Sequence, residues 1–342
     1  MGKPHKQQHY VPQFYLRRFA NSPDRNKIWA LDKVAGCVRE VGIRNVAGQA
    51  EFYGPANAAD SLEKTLGGRE LTYQRAISLL TEVGSPASLS DQTRHDLAEF
   101  TAVQYLRTPE VRFQYGDMAA AQYEAATGDT VFLSSLETEK VLRQQLSELH
   151  GSILRDEVSG TEIREGTEAF LDLTWTLVRN NTDLAFWSSD NPIGRHNNLR
   201  DDSARLLGPQ ARGIQIYVPL DPIYCLMMYD TKTYPERPPF LGCSDVTFVQ
   251  FANVIQFMYS TRYVFSNARD FADSLHVLRR RPPVLAPNHN RLSVRFYSGS
   301  GEEVTDVNKA VFVHTRDNLR PKGKPAQFTT IEDLEDDESA IP

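Results

Sequence analysis

The sequence predicts an α+β fold. Apolar residues recur at helical spacing through the middle of the chain, and short β-rich runs parted by proline turns fill its later half. No regular strand–helix alternation links the two, which argues against a doubly wound parallel sheet. The expected order is an N-terminal helix and β-hairpin, a helical middle, and a mixed, β-rich C-terminal half. In residue terms this is one α+β domain over 1–320, mainly helical over 56–182 and mainly β with one long helix over 183–320. An acidic flexible tail follows at 321–342.

Pro12 suits a first helical position, because the N–H it lacks is one that a helix start leaves unpaired; Phe14, Tyr15, Leu16 and Phe19 then follow at helical spacing. Lys27–Asp32 and Cys37–Val41 read as two strands turning at Ala35-Gly36. Residues 45–53 read as irregular, anchored by Phe52-Tyr53. From about Asp60 the stations Leu62, Leu66, Leu71, Ile77 and Leu80 predict a helix that Gly67-Gly68 weakens or breaks. Ser90-Asp91 caps a helix running to Thr108-Pro109, where proline ends or kinks it before a continuation through Met118 and Tyr123. Further helices are expected at 136–155 and 165–181. Past Asn181, strands are expected at 184–188, 214–218 and 224–228. A helix at 246–259, a strand at 263–266, a short helix at 269–277 and strands at 291–297 and 310–315 complete the order. Residues 195–212 read as a polar loop of the kind that covers sites.

An apolar fraction of 40% over 342 residues supplies material for a sizeable core. The net charge of -6 is concentrated at the end, where Glu332 to Glu338 holds six carboxylates in seven residues. The nearly neutral body exerts no global pull on nucleic acid, which leaves only a local basic patch for that role. Cys37, Cys225 and Cys243 are sparse and odd in number, which argues for reduced thiols and against a disulfide frame or cysteine zinc site. No secretory leader and no apolar run of membrane-spanning length is legible, so a cytoplasmic protein without membrane partners is expected. Nucleotide-binding glycine loops, zinc-protease motifs and nucleophile elbows are all missing, and no cofactor is implied.

Three segments place strong hydrogen-bonding side chains where core elements belong. The first is His9, Gln13 and Arg17, with Gln13 and Arg17 four apart on one helix face. The second is Gln104-Tyr-Leu-Arg107-Thr-Pro109, its two polar residues three apart. The third, Trp187-Ser-Ser-Asp190-Asn191-Pro192, ends a strand, where a rigid element aims side chains that a loop then frees. Each residue carries two readings. His9 either fixes the helix start or acts as general acid and base. Gln13 is either a satisfied core amide or a ligand contact. Arg107 either bonds the last helix carbonyls or Glu110, or recognises an anion with its planar fork. Asp190 is either a turn former or a carboxylate that orients His9 or binds a metal. His5 and His9, and the remaining histidines, predict no metal site.

These blocks resemble a bacterial family known only as domain of unknown function 4238. The hallmark is His9-Tyr-Val-Pro-Gln-Phe-Tyr-Leu-Arg-Arg-Phe19; Gln104–Pro109, Ser188–Pro192 and the Pro-Leu-Asp-Pro turn at 219–222 are similar to its later blocks. The likeness spans roughly residues 5 to 270 and implies that His9, Gln13, Arg107 and Asp190 form one constellation. Gly67-Gly68 departs from it, standing where an uninterrupted, acid-bearing helix is expected. Two function classes remain open. One is a metal-independent nuclease or nucleotide phosphodiester hydrolase: His9, Gln13 and Asp190 would be catalytic, and Arg17, Gln104, Arg107 and Asn191 would bind the substrate, a nucleotide or nucleic acid. The other is a non-catalytic nucleotide or anion sensor, or a protein-interaction module.

Overall fold

The chain enters through a short strand, β1 (Gln7–His9), paired antiparallel with β4 (Gly48–Ala50). The structure, a computed structural model, describes residues 7–50, 52–53, 56–112, 151, 154, 162–199, 208–272, 274, 292–297, 303–304 and 312–317. Neither strand was legible: three-residue pieces are too short to show a period of two. The predicted opening helix is a single turn, α1 (Gln13–Leu16), tightened into a 3₁₀ turn over Arg17–Phe19. Pro12 is the extended residue ahead of that turn rather than its first helical residue. Phe14, Tyr15, Leu16 and Phe19 are all buried, and the Tyr15 hydroxyl donates to the Pro219 carbonyl, so burial rather than helix length secures the segment.

The predicted hairpin forms as β2 (Lys27–Asp32) and β3 (Cys37–Gly42), with Gly36 supplying the left-handed φ of 62° that its turn requires. It belongs to a four-stranded antiparallel sheet of order β3-β2-β11-β6, completed by β6 (Ser188–Ser189) and β11 (Tyr263–Ser266). Helix α2 (Ala56–Val83) runs straight through Gly67-Gly68. Each glycine costs such a helix about 1 kcal/mol relative to alanine. The buried stripe of Leu66, Tyr73, Ile77 and Leu80 carries it across them, while Leu71, expected in that stripe, is exposed. Helix α3 (Asp91–Leu106) starts as expected, the Ser90 hydroxyl accepting from the Thr93 amide at 3.2 Å. It packs against α2 and against α4 (Glu162–Leu171).

The helix expected over 165–181 is replaced by the end of α4 and a strand, β5 (Thr174–Asn180). Trp175, Leu177 and Val178 fit either period, because a strand covered on both faces loses its alternation. Trp175 marks the changeover, its indole N–H donating at 2.8 Å to the Phe170 carbonyl at the helix end, which also accepts from the Leu173 amide. β5 sits in a five-stranded sheet of order β10-β5-β9-β8-β7, formed with β7 (Gly194–Asn197), β8 (Ile214–Pro219), β9 (Tyr224–Tyr229) and β10 (Phe240–Cys243). Only its β5–β10 pairing is parallel. The start of the expected polar loop is thus the buried edge strand β7. Helix α5 (Val246–Tyr259) lies on β6 and β7 so closely that a Cβ on Gly194 would come within 2.5 Å of Ile255.

A three-stranded sheet holds β12 (Leu292–Tyr297) between β13 (Glu303–Val304) and β14 (Phe312–Asp317), where two late strands were expected. The continuation through Met118 and Tyr123, most of the helices at 136–155 and 269–277, and the acidic tail lie outside the described residues. Among the described residues no helix is long and apolar enough to cross a membrane.

Candidate functional site

The three polar segments meet, and they meet through main chain as much as through side chains. Arg107, three per cent exposed at the end of α3, donates from Nη2 to the His9 carbonyl at 2.6 Å. Gln104, one turn earlier on the same face, donates to the Tyr10 carbonyl at 3.0 Å, and the Tyr53 hydroxyl adds a second bond to the His9 carbonyl at 3.2 Å. The Gln-x-x-Arg spacing therefore pins residues 9 and 10 to the helical layer. Neither side chain is saturated: Gln104 Oε1 and Arg107 Nε are buried and have no hydrogen-bond partner among the described residues.

Around that tether lies a half-exposed cluster. The His9 imidazole contacts the Arg44 carbonyl through Nε2 at 3.2 Å. A carbonyl only accepts, so Nε2 carries the proton and Nδ1 is left as the basic nitrogen. Burial, reinforced by the positive charges of Arg107 and Arg17, lowers the imidazole pKa below its ordinary 6.5 against the opposing pull of that carbonyl. The neutral form of the ring is therefore favoured. Arg17 lies exposed, donating to Gln13 Oε1 at 3.0 Å across the i,i+4 spacing. Glu70 from α2 approaches Arg107 at 3.7 Å, and burial raises its carboxyl pKa despite the nearby charges of Arg107 and Arg17.

Asp190 takes another direction. Its oxygens, fully buried, accept from the amides of Thr261, Arg262 and Tyr263 at 2.7–2.9 Å, closing the turn between α5 and β11. Burial raises its pKa, opposed by those amides and by the charge of Lys33. Lys33 is itself buried, donating to the Phe257 and Ser260 carbonyls at 2.8 and 2.7 Å. Asn191 donates to Glu110 and to the Tyr259 carbonyl, and Glu110 accepts from Arg195 at 3.2 Å. The Arg195 guanidinium lies 5.0 Å from the ring centres of both Tyr105 and Tyr259. Two amides of α5 clamp the strand: Asn253 accepts from the Trp187 amide, and Gln256 bonds Ser189 and the Pro192 carbonyl.

The seven residues singled out from the sequence thus fall into two neighbouring groups. His9, Gln13, Arg17, Gln104 and Arg107 surround the tether, whereas Asp190 and Asn191 sit in the buried network. Asp190 does not bond the His9 ring: its oxygens are taken by the amides of Thr261, Arg262 and Tyr263. Tyr10 links the groups: its ring packs on Phe52 at 4.9 Å and its phenol lies in the field of Asp190. His9 and Tyr10 are adjacent, but their side chains leave the chain toward different groups. Sequence reading missed Glu70, Lys33 and Arg195. Glu70 follows the glycine pair within a helix that proves continuous. Lys33 and Arg195 carried no local signal, since only long-range packing buries them.

Two further features border these groups. A cleft of about 490 Å³ opens between α3 and α4, lined by Tyr105, Phe170, Leu106 and Ala102 and edged by Glu162 and Glu165. Among the described residues, His95, Asp96 and Glu99 could together hold a metal ion, with ligand atoms within 4.8 Å of one another. Glu99 is paired to the Arg69 guanidinium, which opposes a cation there, and Asp96 accepts from Gln92 at 2.8 Å.

An α+β protein with a tethered N-terminus and a half-buried histidine–arginine cluster is the class that fold and site define. Residues 7–270 match the family described as protein of unknown function, DUF4238, and the chain belongs to it. No curated protein and no solved structure matches the chain.

Proposed function

We propose that the His9 cluster is a metal-independent site for phosphate esters, hydrolysing a nucleotide or nucleic-acid phosphodiester. One observation carries this reading: an imidazole held neutral, with its basic nitrogen fixed as Nδ1, beside two guanidinium groups. A neutral base next to fixed positive charge is what attack on an anionic ester requires. His9 Nδ1 takes a proton from water as the water oxygen bonds to phosphorus. The bond to the leaving oxygen breaks, and the imidazolium returns its proton to that oxygen. Arg17 and Arg107 neutralise charge on the phosphoryl oxygens, and Gln13 holds Arg17 in place. Gln104 positions the main chain of residues 9 and 10. Asp190 and Asn191 act at one remove, as the scaffold beneath Tyr10.

The test is hydrolysis of bis(p-nitrophenyl) phosphate, dinucleotides and single-stranded RNA by the full chain in EDTA. Turnover that falls at least a hundredfold in His9→Gln with the fold intact supports the reading. Equal turnover in wild type and His9→Gln removes it. A second reading, anion binding without turnover, is favoured by the Arg107 bond to the His9 carbonyl, which already occupies one arm of the fork. Binding of phosphate by wild type with no product from any substrate selects that reading.

A further inference from the structure

We propose that Glu70 is a resident stand-in for the anionic ligand, its carboxylate occupying the place beside Arg107 and Arg17 that a phosphate or sulfate group must take. The inference rests on the anion-site reading above and adds the step that admits the ligand. Arg107 is almost wholly buried and Glu70 is not: their side chains are 3% and 31% exposed. Glu70 therefore gives the buried guanidinium a partner that is itself open to solvent. The ion pair is loose, at 3.7 Å, whereas charge-assisted bonds of this kind normally close to under 3 Å. Arg107 Nε is buried without a partner among the described residues, so the fork holds donor capacity that Glu70 leaves unused.

The charged groups facing Glu70 are Arg107 from α3 and Arg17 from the turn after α1. On α2 itself Arg69 is committed to Glu99 across to α3, and Arg18 reaches the helix farther on, at Ser78 and Thr81. Among the described residues no second acid forms an ion pair with Arg107 or Arg17. An entering dianion would lie against the Glu70 carboxylate, and like charges at that range repel. The carboxylate takes up a proton and, as a carboxylic acid, donates a hydrogen bond to a ligand oxygen. Burial already favours the protonated form. Ligand binding should accordingly consume a proton, and removing the charge should tighten binding.

Sulfate is the suitable probe because it stays dianionic from pH 5 to about 8, so any pH dependence belongs to the protein. Titration calorimetry of the full chain at pH 6 and 7.5, in two buffers of different ionisation heat, reads affinity and proton uptake together. Glu70→Gln should bind sulfate roughly tenfold more tightly at pH 7.5 and take up fewer protons than wild type. Glu70→Ser, which removes the side chain's reach, should do the same and serves if the glutamine variant folds poorly. Sulfate bound equally by wild type and both variants, with equal proton uptake, overturns the stand-in role and leaves the anion site standing. Sulfate bound by none of the three overturns the anion site and the stand-in together.

Discussion

His9 and Asp190 show how one side chain's neighbours decide its work. His9 is pushed below its ordinary pKa of 6.5, so the unfolded chain binds the proton more readily than the folded one. Its contribution to stability is complete above pH 6.5 and is lost as pH falls from there through the depressed folded value. An NMR titration of His9 should give a pKa under 6.5 and the Nε2–H tautomer; a value at or above 6.5 contradicts the geometry described. The fully buried carboxylate of Asp190 holds three main-chain amides. Asp190→Ala should cost about 3–5 kcal/mol in urea unfolding, since it leaves three main-chain donors without their shared acceptor. A loss under 1 kcal/mol would show that water or rearrangement satisfies them. Sequence reading singled out both residues as polar groups in unusual places. It could not separate a half-exposed imidazole from a buried turn clamp, because that distinction lies in partners 35 and more than 70 positions away.

At the scale of elements, the end of α5 depends on a lysine from the β2–β3 turn. Lys33 donates to the Phe257 and Ser260 carbonyls and so caps a helix to which it is not joined. Burial pushes its ammonium down to about 8, from an ordinary 10.5, against the charges of Asp190 and Glu110. Below pH 8 folded and unfolded chains both hold the proton, and the folded one bears the cost of burying it. From about pH 8 upward the unfolded chain keeps more of the proton, so this group makes stability rise with pH. Buried tyrosines oppose that only above about pH 10, their ordinary titration range. Between pH 8 and 9.5 the wild type should therefore gain stability relative to Lys33→Met, measured by urea unfolding; parallel pH profiles would refute the shift. Elements with strong local signals, such as the Ser90-capped α3, the β2–β3 hairpin and β11, were legible at or near their bounds. β5 was not, because burial on both faces erases the alternation that distinguishes strand from helix. β1, β4, β6 and β7 are two to four residues long and exist through pairing partners distant in sequence.

Across the whole molecule, the N-terminal segment is the piece that joins the layers. α3 grips its main chain at residues 9 and 10, α1 buries its apolar face, and Arg18 bonds the Leu220 carbonyl and Asp221 beyond the five-stranded sheet. Loss of that grip should loosen one region before it unfolds the rest. Gln104→Ala should speed hydrogen exchange at Tyr10 and Val11, whose amides bond Ala47, while global stability falls by about 1–3 kcal/mol. Exchange unchanged at those amides would mean that the tether is redundant. The convergence of the three polar segments was legible as an idea, from residue types that do not belong in a core. Its division into a half-exposed cluster and a buried scaffold was not, since this depends on which way His9 and Tyr10 turn.

The most direct measurement is the long-range proton–nitrogen spectrum of the His9 imidazole while inorganic phosphate is added to wild type and to Arg17→Ala. Bound phosphate beside Nδ1 should shift the His9 signals and raise its pKa in wild type, and do so far less in Arg17→Ala. His9 resonances that stay fixed throughout the titration, in a protein that remains folded, would contradict an anion site at this histidine.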